Sequence, residues 1–187
     1  MFALLIILGI ILILGIIVFG SYNSLIGARN QVKNAFSQID VQLKRRHDLI
    51  PNLVNTVKGY AAHEKEAFAN VSNARATAIA ADNSGMDKRG EAEGALSNAL
   101  GRLFAIAEAY PELKANTNFL ALQEELSSTE NKISFSRQYY NDSVLKYNNR
   151  VQMVPTNIIA GIFKFTKEAF FELENKAVER AVPQVTF

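Results

Sequence analysis

The sequence contains no cysteine and only two histidines among its 187 residues. The absence of cysteine excludes disulfide bonds, thiol catalysis and lipid anchors attached through a thiol. It leaves the compartment open, because a chain without thiols tolerates an oxidising or a reducing environment. His47 and His63 lie too far apart to bind one ion from adjacent helical turns, and neither belongs to a zinc or di-iron motif. No metal site is therefore expected.

Charge of one sign is also scarce, since 20 basic residues face 18 acidic ones and the net charge is +2. That excess is too small for a nucleic-acid partner, which requires a strongly basic face. The sequence also lacks a nucleophile elbow, a phosphate-binding glycine loop and a kinase signature. We therefore expect no catalytic residue and no cofactor, and predict that the protein is not an enzyme.

Polar side chains are missing from residues 2–19. As a helix this run and its flanks would measure roughly 27–30 Å, the thickness of one hydrocarbon core. The sequence therefore predicts a single transmembrane helix over residues 1–20, and the lipid bilayer is the first expected partner. A cleaved signal peptide and a buried core helix are less favoured alternatives, because no basic residue precedes the run and core helices are rarely this apolar at the start of a chain.

Arg29 and Lys33 follow the predicted span, whereas no basic residue precedes it. The positive-inside rule then places the N-terminus outside and the C-terminal domain in the cytoplasm. The same two side chains are the candidates for contact with lipid headgroups. Lys44, Arg45 and Arg46 lie too far from the span for direct lipid contact and are expected to form a solvated helix face or to contact a partner.

Helical periodicity dominates the rest of the chain, and no useful strand-like alternation is present. The apolar phase predicts a first helix that continues to about residue 80, kinked but unbroken at Pro51, with two separate helices as the alternative. Further helices are predicted over about 88–110, from 116–118 to 151, and over about 156–173. The expected fold is all-α, with one transmembrane helix (1–20), an antiparallel helical bundle (21–173) and a C-terminal tail (174–187).

Three groups of residues are candidates for specific roles. Gly20, Ser24 and Ala28 repeat at a four-residue spacing that allows close helix packing. The polar side chains of His47 and Asp48 beside Pro51 are interpreted as satisfying carbonyls freed by the kink, rather than as catalytic groups. An aromatic terminal segment is expected to pack in the bundle or to contact the membrane or a neighbouring subunit; it comprises Phe163, Phe165, Phe170, Phe171 and Phe187.

Several ordered motifs resemble the LemA family across the whole chain. The longest runs from Val32 to Val54, and later motifs lie at Tyr110–Ala115, Leu122–Leu126 and Tyr139–Asn141, with a closing Val185-Thr186-Phe187. The resemblance implies a bacterial single-pass protein with an antiparallel helical bundle and no established catalytic residues. It also links the chain to membrane organisation, including magnetosome membranes, and to membrane proteases.

These observations favour a membrane-anchored, non-enzymatic helical scaffold that self-associates as a homo-oligomer and organises membrane or membrane-protein assemblies. The location expected is the bacterial cell membrane. The alternative is a monomeric adaptor or regulator of another membrane protein, such as a membrane protease.

Overall fold

A computed structural model describes residues 1–171, apart from the side chain of Asn83. Within these residues all regular structure is helical, which confirms the predicted all-α fold. The elements in chain order are α1 (Phe2–Lys58), α2 (Lys65–Ala80), a 3₁₀ helix (Ala81–Asn83), α3 (Met86–Ala107), α4 (Pro111–Lys114), α5 (Thr117–Gln152) and α6 (Thr156–Ile162).

The chain divides into two compact units. The first unit comprises Met1–Ile39 and Phe135–Phe170, and the second comprises Asp40–Ser134 together with Phe171. Helices α1 and α5 each contribute to both units. The predicted boundaries at residues 20 and 173 remain predictions, and the predicted tail (174–187) lies outside the described residues.

Helix α1 is long and apolar enough to cross a membrane, judged by length and composition. None of its most apolar stretch is buried within the protein. An unburied run of this kind is costly in water, whereas a helix satisfies its own backbone hydrogen bonds in lipid. The predicted span therefore coincides with the start of α1.

The second unit is built around an apolar core that α1, α2, α3, α4 and α5 share. Side chains spaced three and four residues apart on the longer helices face this core, as amphipathic packing requires, and α4 contributes Leu113. Phe104 of α3 and Phe119 of α5 pack edge to face, with ring centroids 6.3 Å apart. The largest fully buried apolar members include Ile50, Leu53, Val57, Val71, Leu96, Leu103 and Leu113.

The predicted extension of the first helix to residue 80 is wrong. Helix α1 ends at Lys58 and α2 starts at Lys65. Gly59, a poor helix former, opens the intervening turn. The apolar phase continues through the turn because Val57 of α1, Ala61 of the turn and Phe68 of α2 enter the same core. Periodicity therefore carries no sign of the break, whereas the continuity through Pro51 is as predicted.

Helix α5 begins and ends within one residue of its predicted limits, and Asn116 caps it by accepting a hydrogen bond of 3.0 Å from the Phe119 amide. The last helix is shorter than predicted, because α6 ends at Ile162 rather than near residue 173. Lys164 has a φ angle of 57°, in the left-handed region. Its amide and that of Phe165 bond back to the carbonyls of Gly161 and Ala160, which closes the helix.

Residues after Lys164 are held against α5 by polar side chains. Tyr147 donates to the carbonyl of Thr166 and Tyr140 to that of Ala169, both at 2.9 Å. Asn148 forms two bonds with the backbone of Glu168, one donated and one accepted, each of 2.9 Å. We call residues 165–169 the strap. Its bonds hold the backbone in a non-helical path, which is why the helical prediction failed here.

Candidate functional site

The second unit contains a cluster of charged side chains in its interior. Arg46 of α1 is 2% exposed, and its guanidinium contacts the carboxylate of Glu93 on α3, which is 3% exposed. The guanidinium also donates to Glu130 of α5 at 2.6 Å and to the Ser97 hydroxyl at 2.9 Å. His47 Nε2 lies 3.0 Å from the second oxygen of Glu93. Three helices are thus tied together by one ionic network, the Arg46 cluster.

The sequence positions these groups at core-facing sites. Arg46 and His47 fall between Leu43 and Ile50, where the apolar phase of α1 calls for a buried residue. On α3, Glu93 lies three residues before Leu96 and is likewise at a buried position. The expectation that Arg46 lies on a solvated face or contacts a partner is wrong, because its side chain is buried. A charged residue within an apolar stripe was the signal that would have revealed the cluster.

Glu93 remains ionised despite its burial. Burial is the largest single influence and acts to raise its pKa, but the hydrogen bonds and charges of His47 and Arg46 together outweigh it. The net result is that the pKa of Glu93 lies below its ordinary value of 4.5. A buried carboxylate in this state is a fixed negative charge that holds Arg46 in place.

Pro51 lies inside α1 and lacks the amide that would bond to the carbonyl of His47, four residues earlier. Arg75 of α2 supplies the missing donor, with its Nε 2.7 Å from that carbonyl oxygen. From the sequence, the side chains of His47 and Asp48 were expected to satisfy the carbonyls freed at the proline. In the structure the side chain of His47 contacts Glu93, and Asp48 lies 3.8 Å from Lys44 on the surface.

A second buried cation, Arg89 at the start of α3, makes a similar connection. Its guanidinium lies 2.7 Å from Asp40 of α1 and 3.0 Å from Asp82 of the 3₁₀ helix. Arg89 therefore fixes the start of α3 against α1, as the Arg46 cluster fixes its middle. Neither pairing was predicted from the sequence, and Asp40 lies far from Arg89 along the chain, whereas Asp82 is close to it.

The charged groups of the Arg46 cluster bond to other groups of the protein. A cleft of about 420 Å³ opens beside Arg46 and Ser97, where Nη1 of Arg46 donates to the Ser97 hydroxyl and to Glu130. Among residues 1–171, no group of three or more His, Asp or Glu side chains is placed to hold a metal ion. The arrangement is suited to fixing helices in one register.

The first unit contains the residues predicted to contact membrane or other helices. Of the small residues, Gly20 is exposed, Ser24 is half-buried and Ala28 is 4% exposed. The Ser24 carbonyl accepts a bond of 2.8 Å from Arg150. Part of the predicted packing stripe is therefore covered by the protein's own α5 and α6. Arg29 lies over the ring of Phe165 at 5.2 Å, and Lys33 is exposed.

The predicted terminal segment is divided between different environments. Phe163 is 51% exposed but contacts Tyr22 on one side, and Phe165 also packs on that tyrosine. Phe170 is partly exposed at 38%, whereas Phe171 is buried. Phe187 lies outside the described residues.

Together these features define an all-helical bundle protein with one N-terminal candidate membrane span and an internal ionic network. The pattern of the LemA family matches residues 35–187. The chain therefore belongs to the LemA family, and the resemblance seen in the sequence is confirmed.

Similar proteins agree with this assignment. The chain is 28% identical over 171 residues to Protein LemA of Metamycoplasma hominis, covering 89% of this chain and 77% of that protein. It is 26% identical over 175 residues to Magnetosome protein MamQ 2 of Paramagnetospirillum magneticum, covering 81% of this chain. Magnetosome protein MamQ of Magnetospirillum gryphiswaldense is 26% identical over 174 residues, covering 80% of this chain. The chain spans 64% of the length of either MamQ relative, less than two thirds.

Proposed function

We propose that the protein is a membrane-anchored, non-enzymatic helical scaffold that self-associates and organises membrane or membrane-protein assemblies. One observation carries this proposal. Helix α1 is continuous from Phe2 to Lys58, so the apolar run and the core-forming residues of the bundle belong to one element without a linker. A domain joined to its membrane segment without a linker suits a scaffold better than a loosely tethered enzyme.

The Arg46 cluster supports a structural rather than a catalytic role. Its buried ionisable groups, Arg46, His47 and Glu93, are engaged by one another, and Arg46 also bonds to the half-exposed Glu130 of a third helix. Catalytic acids and bases instead face a site where a reactant can reach them. The network serves to hold the bundle in one arrangement, which suits a protein that presents fixed surfaces to partners.

Self-association is proposed to use the face of α1 that the protein's own helices leave open. Gly20 and Gly27 are both exposed, lie two helical turns apart, and a Cβ atom added to either would meet no atom within 4 Å. Small residues at such positions permit close approach of a second helix. The relatives named as magnetosome proteins support a place for this chain in membrane organisation.

The proposed location is the bacterial cell membrane, with the N-terminus outside and the bundle in the cytoplasm. Arg29 and Lys33 are the basic residues that support this orientation. Protease added to intact cells should then leave the bundle undigested. Digestion of the bundle from outside the cell would reverse the proposed orientation.

The decisive test is the mass of the full-length protein in mild detergent and in native membrane particles, measured by light scattering and single-particle imaging. We expect a defined homo-oligomer that Gly27→Leu disrupts. Gly101→Leu on α3 is the matched control, because Gly101 is also exposed with open space around it. A monomer from the unmodified chain would contradict self-association and direct attention to a stoichiometric membrane-protein partner, such as a protease, that the chain regulates.

A further inference from the structure

We propose that residues 153–163, here called the elbow, lie in the headgroup layer of the same bilayer that α1 crosses and form a second contact with the lipid. The elbow consists of the turn between α5 and α6, helix α6 itself and its cap. The proposal rests on the membrane anchorage in the proposed function and is independent of self-association. Its ligand is a lipid surface, favoured when that surface carries anionic headgroups.

The elbow exposes an unusual amount of apolar surface for a segment with a fixed structure. Met153 is 63% exposed, Val154 77%, Ile158 60% and Ile162 65%. Ile159 and Ala160, on the other side of α6, are buried against Leu25 of α1. The segment is thus anchored by one apolar face while the second apolar face is left without cover, which marks an interaction surface.

The point at which the elbow contacts α1 indicates that lipid covers the exposed apolar face of the elbow. Tyr22 contacts Phe163 with ring centroids 4.7 Å apart, and Phe165 at 5.9 Å. Tyr22 follows Phe19, the end of the apolar run, by three residues, which is about 4.5 Å along a helix. Each headgroup layer is roughly 5–7 Å deep beyond the hydrocarbon core. The elbow therefore contacts α1 at the depth of the headgroups.

Charge around the elbow fits an anionic lipid surface. Lys164 follows the elbow and is exposed, Arg150 precedes it, and Arg29 stacks on Phe165. No aspartate or glutamate occurs between residues 143 and 167, and none precedes Asp40 in the chain. An apolar, partly aromatic face bordered by cations is the usual composition of an interfacial membrane segment.

The conformation of the elbow is also fixed by the residues that follow it. The left-handed turn at Lys164 reverses the chain directly after α6. The strap then returns along α5 through the hydrogen bonds of Tyr140, Tyr147 and Asn148. Little conformational entropy is lost when a surface fixed in this way enters the interface.

The absence of tryptophan from the chain gives a direct test. Ile162→Trp places a single fluorophore on the exposed face of the elbow. Full-length protein is reconstituted, at low protein density, into phosphatidylcholine vesicles with phosphatidylglycerol, whose acyl chains carry bromine near the headgroup. We expect blue-shifted emission and about twofold quenching relative to unbrominated vesicles, since interfacial segments sit within reach of such chains. Ile158→Trp on the same face is the second reporter if the first variant misfolds.

Two matched variants make the result specific. Phe135→Trp, at an α5 position that is 72% exposed, should emit as in water without quenching. Phe19→Trp, at the end of the apolar run, should be quenched and reports anchorage alone. Quenching at positions 19 and 162 but not at 135 supports the proposal. If only position 19 is quenched, the elbow proposal is wrong and the anchorage stands. Blue-shifted but unquenched emission from position 162 would show that protein covers the elbow, which also overturns it. An unquenched Phe19→Trp would overturn both.

Discussion

The two units of this protein use buried polar groups in opposite ways. In the second unit, full charges lie in the interior, where Arg46 and Glu93 are almost inaccessible to water. In the first unit, neutral side chains bond to the backbone of the strap, and apolar side chains lie on the outside at the elbow. The comparison shows one chain fixing helices by charge in one region and fixing an irregular segment by hydrogen bonds in the other.

The difference follows from what each region must hold. Helices have satisfied backbones, so their relative register is set by side chains, and a paired charge has only one good position. A non-helical strap has free amides and carbonyls, which polar side chains such as Asn148 satisfy. Removing one member of a buried charge pair should therefore destabilise the second unit strongly. Removing a hydrogen bond to the strap should affect only the strap.

The largest effect is expected from Arg46→Met. The substitution leaves Glu93 buried without its cation, and breaking a buried pair in this way typically costs about 3–5 kcal/mol. Arg45→Met is the matched control, because the neighbouring Arg45–Glu125 pair of 2.6 Å is roughly half exposed on both sides. Exposed pairs contribute about 0–1 kcal/mol. Chemical unfolding of both variants, followed by circular dichroism, measures the difference.

A double variant sharpens that result. Replacing the pair together, as Arg46→Met with Glu93→Leu, removes the uncompensated charge and should restore part of the lost stability. Equal losses from Arg45→Met and Arg46→Met would show that burial does not distinguish these two arginines. The idea of an interior ionic network would then be untenable.

Asn148→Ala should have a smaller and more local effect. It removes both hydrogen bonds to Glu168, and unmet backbone groups of this kind cost about 1–3 kcal/mol each at most. We expect faster hydrogen exchange in residues 165–169 with little change in the second unit. Asn149→Ala, at the exposed neighbouring position, should leave exchange unaltered. Uniform loss of protection along the whole chain would contradict a separately held strap.

The two units should also respond to opposite ends of the pH scale. The pKa of Glu93 is lowered in the folded state, so its stabilising contribution is present above pH 4.5, the ordinary value, and is lost as pH falls through the folded-state pKa. Glu93→Gln should therefore flatten the acid side of the stability profile. Unfolding measured from neutral pH down to pH 3 tests this, and identical acid dependence in both proteins would count against it.

At the alkaline end the strap is the sensitive region. Burial, with a smaller influence from Glu168, raises the pKa of Tyr140 and of Tyr147 above 10.0. Their stabilising contribution is complete below pH 10 and is lost as pH rises through the folded-state pKa, when the donors to the strap lose their protons. Phenolate absorbance during titration should show a late-ionising component that is reduced in the Tyr140→Phe, Tyr147→Phe double variant, whereas Tyr110 of the second unit, whose pKa is also raised by burial and by Glu64, still contributes. A late component of undiminished size in the double variant would contradict the assignment.

Local patterns predicted the elements that local interactions determine. The limits of α5 follow from a 3–4 apolar stripe and the cap at Asn116, and both are visible in the sequence. The end of α1 at Lys58 is not visible, because the apolar phase serves two helices that share one core. The pairing of Arg46 with Glu93 was equally hidden, since it depends on which helices become neighbours.

The predicted end of the last helix, near residue 173, was wrong for a different reason. Residues 163–171 contain four phenylalanines, which are only moderate helix formers, and tertiary hydrogen bonds from α5 hold the segment in a non-helical path. The aromatic character did predict an interaction segment. It gave no indication that Phe163 and Phe165 would meet Tyr22 at the end of the apolar run.

The smallest expected effect is an increase in stability, at Lys164. A residue with a side chain at a φ of 57° is disfavoured relative to glycine by roughly 1 kcal/mol. Lys164→Gly should therefore stabilise the cap of α6 by up to about that amount. Lys167→Gly is the matched control, because this exposed strap residue does not have a positive φ and glycine should weaken it through backbone entropy. A higher unfolding temperature for Lys164→Gly and a lower one for Lys167→Gly would show that the effect comes from the left-handed turn and not from the loss of a lysine. Lys164 is also an exposed cation beside the elbow, so Lys164→Gly should stabilise the fold while weakening the contact of the elbow with anionic vesicles.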